Sequence, residues 1–380
     1  MKVIRAMICT AIFASGLPAM ATAGEVLLKI GLAAPMTGPI SHLGKDIQSG
    51  ARLALDRINA QQPVIGGEKV RFEMVVEDDQ SDPRVATQVA NRLVDQKVVA
   101  VIGHYNSGTT IPASRIYAAA GIPQISPGST SPVYTHQGLN TAFRNIANDD
   151  QQGSVLGNFA YDKLGARKVA VIDDRTAAGQ GQADRFAKVF AQRGGKVIGR
   201  EYTTYTASDF TAILTKIKGL NPDLIYYGGM DSQAGLMVKQ MARLGIKAKL
   251  LGADGMQSSI FTKLAGPDAE GHMASSIGMP KESMPGYAAL NSAFTEKYGE
   301  MQAYAPYSYD AVMILVEAMK QANSTDPVKF LPALRKIHYK GITGTTEFDD
   351  KGDVKNGSIT LYRVTNGEWR AIATSQGARL

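Results

Sequence analysis

The sequence predicts an α/β protein made of two doubly wound, mostly parallel sheets. Short apolar runs typical of strands alternate with amphipathic helical segments, which is the pattern of successive β-α-β units. The alternation begins near residue 26 and restarts after about residue 148. The chain has 380 residues, which is more than a single hydrophobic core usually supports, so two lobes of ordinary domain size are expected.

The N-terminus has the features of an export signal. Lys2 and Arg5 precede an apolar run over residues 6–17, and small residues follow at Ala21 and Ala23. The apolar run is shorter than the roughly 20 residues that span a bilayer. The pattern therefore indicates a cleaved signal peptide over residues 1–23 rather than an anchor. We expect an exported, soluble mature chain that begins near Gly24.

Composition and motifs exclude several classes of function. Cys9 is the only cysteine and lies within the predicted signal, so the mature chain has no thiol for a disulfide, a thiolate metal site or nucleophilic catalysis. The net charge of +7 comes from scattered Lys and Arg residues, without the basic run of a nucleic-acid-binding segment. The motifs of P-loops, nucleophile elbows, zinc proteases and dinucleotide sites do not occur. We therefore predict no catalytic residue, metal, cofactor or nucleic-acid partner.

The first series of elements covers the N-terminal third of the chain. Strands are predicted over residues 26–32, 71–77 and 98–102, with helices over residues 44–60 and from Asp82 to about Asp95. Asp82 is a suitable N-cap, and Pro83 suits the first helical position. The continuous apolar run at 98–102 is typical of a strand that is covered on both faces.

The second series repeats this order. Helices are predicted over residues 151–164, 180–193, 210–218 and 232–244, and strands over 168–172, 197–202, 224–227 and from 250. Residues 284–337 are largely helical in pattern, and a strand, a turn and two further short strands follow from Thr345. The turn contains Asp349, Asp350 and Asp353 but lacks the bidentate acid of a calcium loop, so we interpret it as a solvated turn. Because no long flexible linker separates the series, we expect short crossings between the lobes.

Three polar loops form the candidate binding site, because ligands of open parallel sheets bind beyond the carboxyl ends of the strands. Residues 103–110 place Ser107 before a helix from about Ile111, where a hydroxyl and free N–H groups can bind a carboxylate. Residues 126–132 add the hydroxyl of Thr130 as a second donor, and residues 252–255 place Asp254 where it can accept from an ammonium group. Each residue is also explained as a turn residue or helix cap. Together they meet the requirement of an α-amino acid.

An enzymatic alternative depends on two residues of the first of these loops. His104 and Ser107 are close in sequence, and a base within reach of a serine is the minimum for a hydrolase. No other observation supports it.

The ordered set of segments resembles the periplasmic leucine/isoleucine/valine-binding proteins of ABC transporters over nearly the whole mature chain. The segments that carry the resemblance are Pro35-Met36-Thr37-Gly38-Pro39, Asp78-Asp79 before Asp82-Pro83, Val101-Ile102-Gly103-His104, Ile125-Ser126-Pro127-Gly128-Ser129-Thr130, Tyr226-Tyr227-Gly228-Gly229 and Asp349 to Asp353. The resemblance implies the type I periplasmic binding protein fold, with two α/β lobes on a three-stranded hinge. It places the N-terminal lobe at residues 24–149 plus 277–356 and the C-terminal lobe at 150–276 plus 357–380.

The same resemblance implies a set of ligand-binding residues. Ser107 and Thr130 correspond to the residues that bind the ligand carboxylate, and Gly128 and Asp254 to those that accept from its ammonium group. The remaining members are Ser129 in the Gly128–Thr130 loop, Leu43, Tyr105 and Tyr304 around the ligand side chain, and Ala178 and Met230, which stand where well-known members carry tyrosines. The cysteine pair of some members is replaced by Ser81 and Asn106. Side-chain specificity is therefore expected to differ from that of the tyrosine-containing members.

The function implied is the capture of an amino acid, branched-chain or aliphatic, in the periplasm. The two lobes are expected to close on the ligand, and the partner is the inner-membrane permease of an ABC transporter. We expect a monomer that carries out no catalysis. The alternative is the same fold binding an amide, urea or an aromatic acid for uptake or sensing, in which case Asp254 would be dispensable.

Overall fold

Two parallel-sheet lobes, each with helices on both faces, make up the protein in a computed structural model that describes residues 25–375 and 377. The predicted export signal lies outside these residues. The strands are β1 (Val26–Ala34), β2 (Val64–Ile65), β3 (Glu68–Asp78), β4 (Ala100–Gly103), β5 (Gln124–Ser126), β6 (Ala142–Arg144), β7 (Lys168–Asp173), β8 (Lys196–Tyr202), β9 (Leu224–Gly228), β10 (Lys249–Gly252), β11 (Met273–Ile277), β12 (Tyr339–Gly341), β13 (Gly344–Thr346), β14 (Ile359–Thr365) and β15 (Glu368–Thr374). The helices are α1 (Ser41–Ala60), α2 (Pro83–Asp95), α3 (Ser107–Ala119), α4 (Asp149–Asp162), α5 (Ala177–Gln192), α6 (Thr211–Leu220), α7 (Asp231–Arg243), α8 (Ser259–Ala265), α9 (Tyr287–Tyr298), α10 (Ala305–Ala322) and α11 (Pro327–Arg335).

The first lobe is built on a six-stranded sheet in the order β2-β3-β1-β4-β5-β6, parallel except for the short β2. Alternate side chains of its central strands face opposite cores. Ile30 and Leu32 of β1 pack with α1 and α10, whereas Ala33 packs with α2 and α3 on the other face. Fully burying an Ile or Leu side chain contributes about 1.5–3 kcal/mol, so these strands fix both layers of the lobe.

The second lobe is built on a seven-stranded sheet in the order β15-β14-β11-β10-β9-β7-β8. The strands from β7 to β11 are parallel, and β14 and β15 add an antiparallel edge. Val169 and Val171 of β7 face one core, and Ala170 and Ile172 face the other. The two-sided apolar pattern of these strands explains why the sequence predicts a sheet with helices on both faces.

The chain passes between the lobes three times, after β6, after β11 and before β14. The crossings run side by side. Gly278 donates its backbone N–H to Ser358 O at 2.6 Å, and Arg144 forms an isolated parallel bridge with Asp353. The expectation of short crossings in place of a flexible linker is therefore confirmed. Among the helices of the described residues, none has the length and apolar character needed to cross a bilayer.

The predicted elements occur in the predicted order, with two instructive differences. Helix α3 begins at Ser107 and not at about Ile111. The segment has poor helix formers, but the hydroxyls of Thr109 and Thr110 both donate to Asn106 O, at 2.9 and 2.7 Å, and hold the first turn. Strand β11 was not predicted because it contains two serines. Ser275 is buried there, with its hydroxyl donated to Gln152 Oε1 at 3.1 Å.

Candidate functional site

One cavity lies where the carboxyl ends of both sheets face each other. The segments after β4 and β5 line it from the first lobe, and helix α5 and the segments after β9 and β10 line it from the second lobe. The cavity is small, with a volume of about 20 Å³, well below the ~300–1,000 Å³ of small-molecule pockets. It is lined by Tyr105, Asn106, Ser107, Gly128, Thr130, Ala178, Gly179, Gln182, Gly229, Met230, Asp254 and Gly255.

A cluster of hydroxyls forms the first-lobe wall of the cavity. Ser107 is the first residue of α3, so its backbone N–H is among those that a helix leaves without an internal acceptor. Its Oγ accepts from Ser131 N at 3.1 Å and from Ser129 Oγ at 3.3 Å. Thr130 lies between these two serines and is 2% exposed. Hydroxyl and N–H donors grouped in this way suit a carboxylate.

The loop that carries Thr130 is held in place by buried hydrogen bonds to Ser126 and Arg144. Ser126 Oγ accepts from Ser129 N at 2.8 Å, and the guanidinium of Arg144 donates to Ser129 O and Ser131 O at 2.8 and 2.9 Å. Gly128 is required for a close approach, because a Cβ there would lie 2.3 Å from Cδ2 of Tyr105. The loop backbone is therefore positioned by buried contacts before any ligand binds.

Asp254 supplies an acid on the second-lobe wall. It follows β10 directly, and its carboxylate accepts from Tyr304 Oη at 2.8 Å and from Gln182 Nε2 at 3.1 Å. Burial raises the pKa of Asp254 above its ordinary value, against the hydrogen bonds from Tyr304 and Gln182 that favour the ionised form. Each carboxylate oxygen keeps a further lone pair for a ligand donor.

Tyr304 reaches Asp254 because Asp46 fixes the start of α10. The buried carboxylate of Asp46 accepts from the backbone N–H of Tyr304 at 2.9 Å and of Ala305 at 2.7 Å. The hydroxyl of Tyr105 in turn donates to Tyr304 Oη at 3.1 Å, and the two rings meet edge to face with centroids 4.9 Å apart. A chain of hydrogen bonds thus runs from Tyr105 to the acid.

Most of the residues singled out from the sequence meet at this cavity. Seven of them line it: Tyr105, Ser107, Gly128, Thr130, Ala178, Met230 and Asp254. Ser129 and Tyr304 lie behind the lining residues, where Ser129 contacts Ser107 and Tyr304 contacts Asp254. Leu43 is buried in the core of the first lobe and is not among the lining residues.

Two polar residues, one in the cavity lining and one beside it, were not predicted from the sequence. Gln182 lies one helical turn after Ala178 on α5, and its Nε2 donates to both Thr130 Oγ1, at 3.4 Å, and Asp254 Oδ1. Residues four apart on a helix share a face, so the position of Gln182 four residues after Ala178 could have predicted that it lies at the cavity. Asp149, the first residue of α4, lies beside Thr130 and Gln182 and is 2% exposed. Nothing in its local sequence distinguishes it from an ordinary first-turn acid.

Hydrogen bonds join the two lobes across the cavity. Besides the bonds of Gln182 to Thr130 and of Tyr304 to Asp254, His42 of α1 contacts Asp231 of α7, with 2.8 Å between Nε2 and Oδ2. Ser258 donates to the same Asp231 oxygen at 2.6 Å. Asp231 therefore pairs with Ser258 within the second lobe and with His42 of the first lobe, and the contact with His42 joins the two lobes.

Replacing His42 by Ala is expected to weaken ligand binding about fivefold, because a partly exposed pair of this kind contributes about 1 kcal/mol. The bond joins the lobes, so its loss selectively destabilises the form in which they enclose a ligand. Calorimetric titration measures the effect. His338→Ala is the matched control, because His338 pairs with Glu347 within one lobe and is more exposed. Unchanged affinity in His42→Ala would show that the contact between His42 and Asp231 contributes nothing to closure of the lobes.

The serine–histidine arrangement of a hydrolase is not formed at Ser107. The ring of His104 is fully buried, with Nδ1 2.7 Å from Asp79 Oδ2 and Nε2 3.1 Å from Tyr117 Oη. Both ring nitrogens are therefore engaged away from Ser107, whose hydroxyl contacts Ser129 and Ser131 instead. His104 is therefore not placed to act as a base for Ser107.

The aspartate-rich turn near the C-terminus is a correction to the sequence interpretation. Asp349 does close a turn, accepting from the backbone N–H of Lys351 and Asp353 at 2.9 Å. Asp353, however, is buried and forms an ion pair with Arg144 at 2.7 Å. The turn therefore supports the loop of Thr130, through Arg144. Within residues 25–375 and 377, no group of three or more His, Cys, Asp or Glu side chains has metal-binding geometry.

Comparisons with known proteins agree with this architecture. Residues 28–368 match the protein family described as periplasmic binding protein. The chain is 40% identical over 344 residues to Leu/Ile/Val-binding protein homolog 1 of Brucella suis biovar 1, covering 90% of this chain and 91% of the relative. It superposes on the leucine-binding protein LivK of Thermotoga maritima with a TM-score of 0.85 at 30% identity, covering 92% and 99%. For the branched-chain amino acid transporter substrate-binding protein LivJ of Streptococcus pneumoniae, in complex with isoleucine, the TM-score is 0.82 at 29% identity, covering 92% and 100%. The chain belongs to the periplasmic binding protein family.

Proposed function

We propose that this protein is the exported substrate-binding component of an ABC transporter and that it encloses a branched-chain or other aliphatic amino acid between its lobes. It delivers the ligand to an inner-membrane permease and performs no chemistry on it. The observation that carries the proposal is the pairing, in one cavity, of hydroxyl and N–H donors around Ser107 and Thr130 with the buried acid Asp254.

The two polar ends are close enough for one small zwitterion. A single amide nitrogen, Nε2 of Gln182, lies within hydrogen-bonding distance of both Thr130 Oγ1 and Asp254 Oδ1. In this proposal the ligand carboxylate takes the donors of Ser107 and Thr130. The ammonium group is held by Asp254 and the carbonyl of Gly128, both of which line the cavity.

The remaining lining favours an aliphatic side chain. Tyr105 and Met230 present ring and thioether surfaces, and Ala178 adds a small apolar one. Aliphatic ligands also agree with the names of the relatives, which are Leu/Ile/Val-binding or were solved with isoleucine. Ala178 and Met230 form part of the second-lobe side of the cavity, so we expect the size limit for the ligand to be set there.

We further propose the lobe boundaries, the compartment and the assembly state. The N-terminal lobe comprises residues 24–149 plus 277–356 and the C-terminal lobe 150–276 plus 357–380. These limits are supported by the two sheets and by the three crossings after β6, after β11 and before β14. The residues 1–23 act as a signal peptide, and the mature chain works as a monomer in the periplasm.

The test is a thermal-shift screen of the mature protein, freed of co-purified ligand, against the twenty amino acids, amides, urea and aromatic acids. A ligand present at about 100 times its Kd adds about 2.7 kcal/mol of stability. Shifts with leucine, isoleucine or valine are expected. Shifts only with amine-free acids or with amides would keep the fold and the transport role but would overturn the proposed role of Asp254.

A further inference from the structure

The cavity between the lobes is too small to hold an amino acid with its side chains in their present positions. Its volume of about 20 Å³ is close to the ~10–15 Å³ that a single water molecule needs. An amino acid is many times larger than a water molecule. At least one lining side chain must therefore move before a ligand is enclosed.

The contacts of the lining residues indicate which side chain moves. Four of the lining residues are glycines, which present only backbone. Tyr105 is fixed by its hydrogen bond to Tyr304 and by the edge-to-face contact of the two rings. Apart from the residues proposed to hold the ligand, the longer side chains are those of Asn106, Met230 and Gln182. Of these three, Gln182 is the one whose side chain donates to the ligand-holding residues.

Gln182 places an amide nitrogen between the two polar ends of the site. Its Nε2 donates to Asp254 Oδ1 at 3.1 Å and to Thr130 Oγ1 at 3.4 Å. The amide group has two N–H hydrogens, and these two acceptors use both of them. A ligand whose ammonium group is held by Asp254 and whose carboxylate is held by Thr130 needs the same space. A carboxylate oxygen can accept from two donors, but a cavity of this size cannot hold the amide and an amino acid together.

We propose that the Gln182 amide is an internal occupant of the amine-binding position, and that ligand binding displaces it from Asp254 and Thr130. The inference rests on the proposed function and deepens it, because it sets a condition on the ligand. An ammonium group is attracted to the Asp254 carboxylate by a full opposite charge, whereas the amide offers only a dipole. A neutral amide or an amine-free acid gains nothing by the exchange. The site therefore selects ligands that carry a cationic amine.

The displaced amide has an acceptor close to it. Asp149 is buried at the start of α4, and its Oδ2 lies 3.3 Å from the point where a Cβ on Gly181 would be. Gly181 precedes Gln182 on α5. Within residues 25–375 and 377, neither carboxylate oxygen of Asp149 has a hydrogen-bond partner of good geometry. The Gln182 amide can thus exchange one carboxylate for another, which avoids the cost of leaving a buried donor unsatisfied.

The first experiment is calorimetric titration of the mature protein with L-leucine, for the wild type and for Gln182→Ala. The substitution removes the amide and its volume but keeps the residues proposed to hold the ligand. The affinity should rise about tenfold, because the ligand no longer has to replace a hydrogen bond to a charged group. Gln180→Ala is the matched control, since Gln180 lies on the same helix with its side chain exposed, and it should bind as the wild type does. Affinity in Gln182→Ala that is unchanged or lower would overturn the inference.

The second experiment is a crystal structure of the wild-type protein with L-leucine, which does not depend on the folding of a variant. The ligand nitrogen is expected within hydrogen-bonding distance of Asp254 Oδ1, with Gln182 Nε2 moved out of that distance. A Gln182 amide still bonded to both Asp254 and Thr130 beside bound leucine would contradict the displacement and leave the proposed function intact. If the wild type binds neither leucine nor any other amino acid, the proposed function fails, and this inference fails with it.

Discussion

Replacing Asp254 by Ala is expected to lower the affinity for a branched-chain amino acid by at least about a hundredfold. The ammonium group would remain in a buried site without its anionic partner, and removing one member of a buried charge pair costs about 3–5 kcal/mol. Asp254 is 5% exposed, so water cannot take over this role without opening the cleft. Calorimetric titration of the variant with L-leucine measures the loss, and the melting temperature verifies that the chain still folds.

Two further variants separate charge from shape at Asp254. Asp254→Asn keeps the acceptor for Tyr304 and nearly the same volume but removes the charge, so it should also bind leucine poorly. Asp268→Ala, at an exposed acid elsewhere in the second lobe, should bind as the wild type does. Leucine binding that survives Asp254→Ala unchanged would contradict the amine assignment, and loss of leucine binding together with retained binding of an amine-free carboxylate would support it.

The fold could be predicted from the sequence because its strands are covered by helices on both faces. Continuous apolar runs such as residues 98–102 and 168–172 have few alternatives to a buried parallel strand, and Asp82 caps α2 as expected, accepting from Arg84 N and Val85 N. The pattern did not predict β11, because the hydroxyl of one of its serines is satisfied by a distant partner. Ser275 contacts Gln152, 123 positions earlier in the chain.

The candidate site was predictable to the extent that its residues follow strands directly. Ser107, Thr130 and Asp254 follow β4, β5 and β10 within a few residues, so the rule for parallel sheets brings them together. Gln182 and Asp149 lie within helices, and their places in and beside the cavity depend on how one lobe packs on the other. Local sequence carries no record of that packing, and this is the physical reason that both were missed.

Replacing Asp353 by Ala is expected to produce the largest loss of folding stability. Asp353 balances the guanidinium of Arg144, which is fully buried, and also accepts from Thr135 Oγ1 at 2.7 Å. Burial by itself would raise the pKa of Asp353, but Arg144, Thr135 and Asn148 outweigh it and hold the pKa below its ordinary value. The stabilisation is therefore present above the pKa of an unfolded Asp, about 3.9, and is lost as the pH falls through the still lower folded pKa.

The expected cost is about 3–5 kcal/mol at neutral pH, because Asp353→Ala leaves a buried cation without its partner. Urea unfolding measures it, with Asp350→Ala, in the exposed part of the same turn, expected to change stability by less than about 0.5 kcal/mol. A loss for Asp353→Ala no larger than that of the control would contradict the pairing. Replacing both members, as Arg144→Met with Asp353→Leu, should recover much of the stability, since apolar side chains can substitute for a buried pair. The double variant should still bind leucine poorly, because Ser129 O and Ser131 O lose the guanidinium that holds the loop of Thr130 in place.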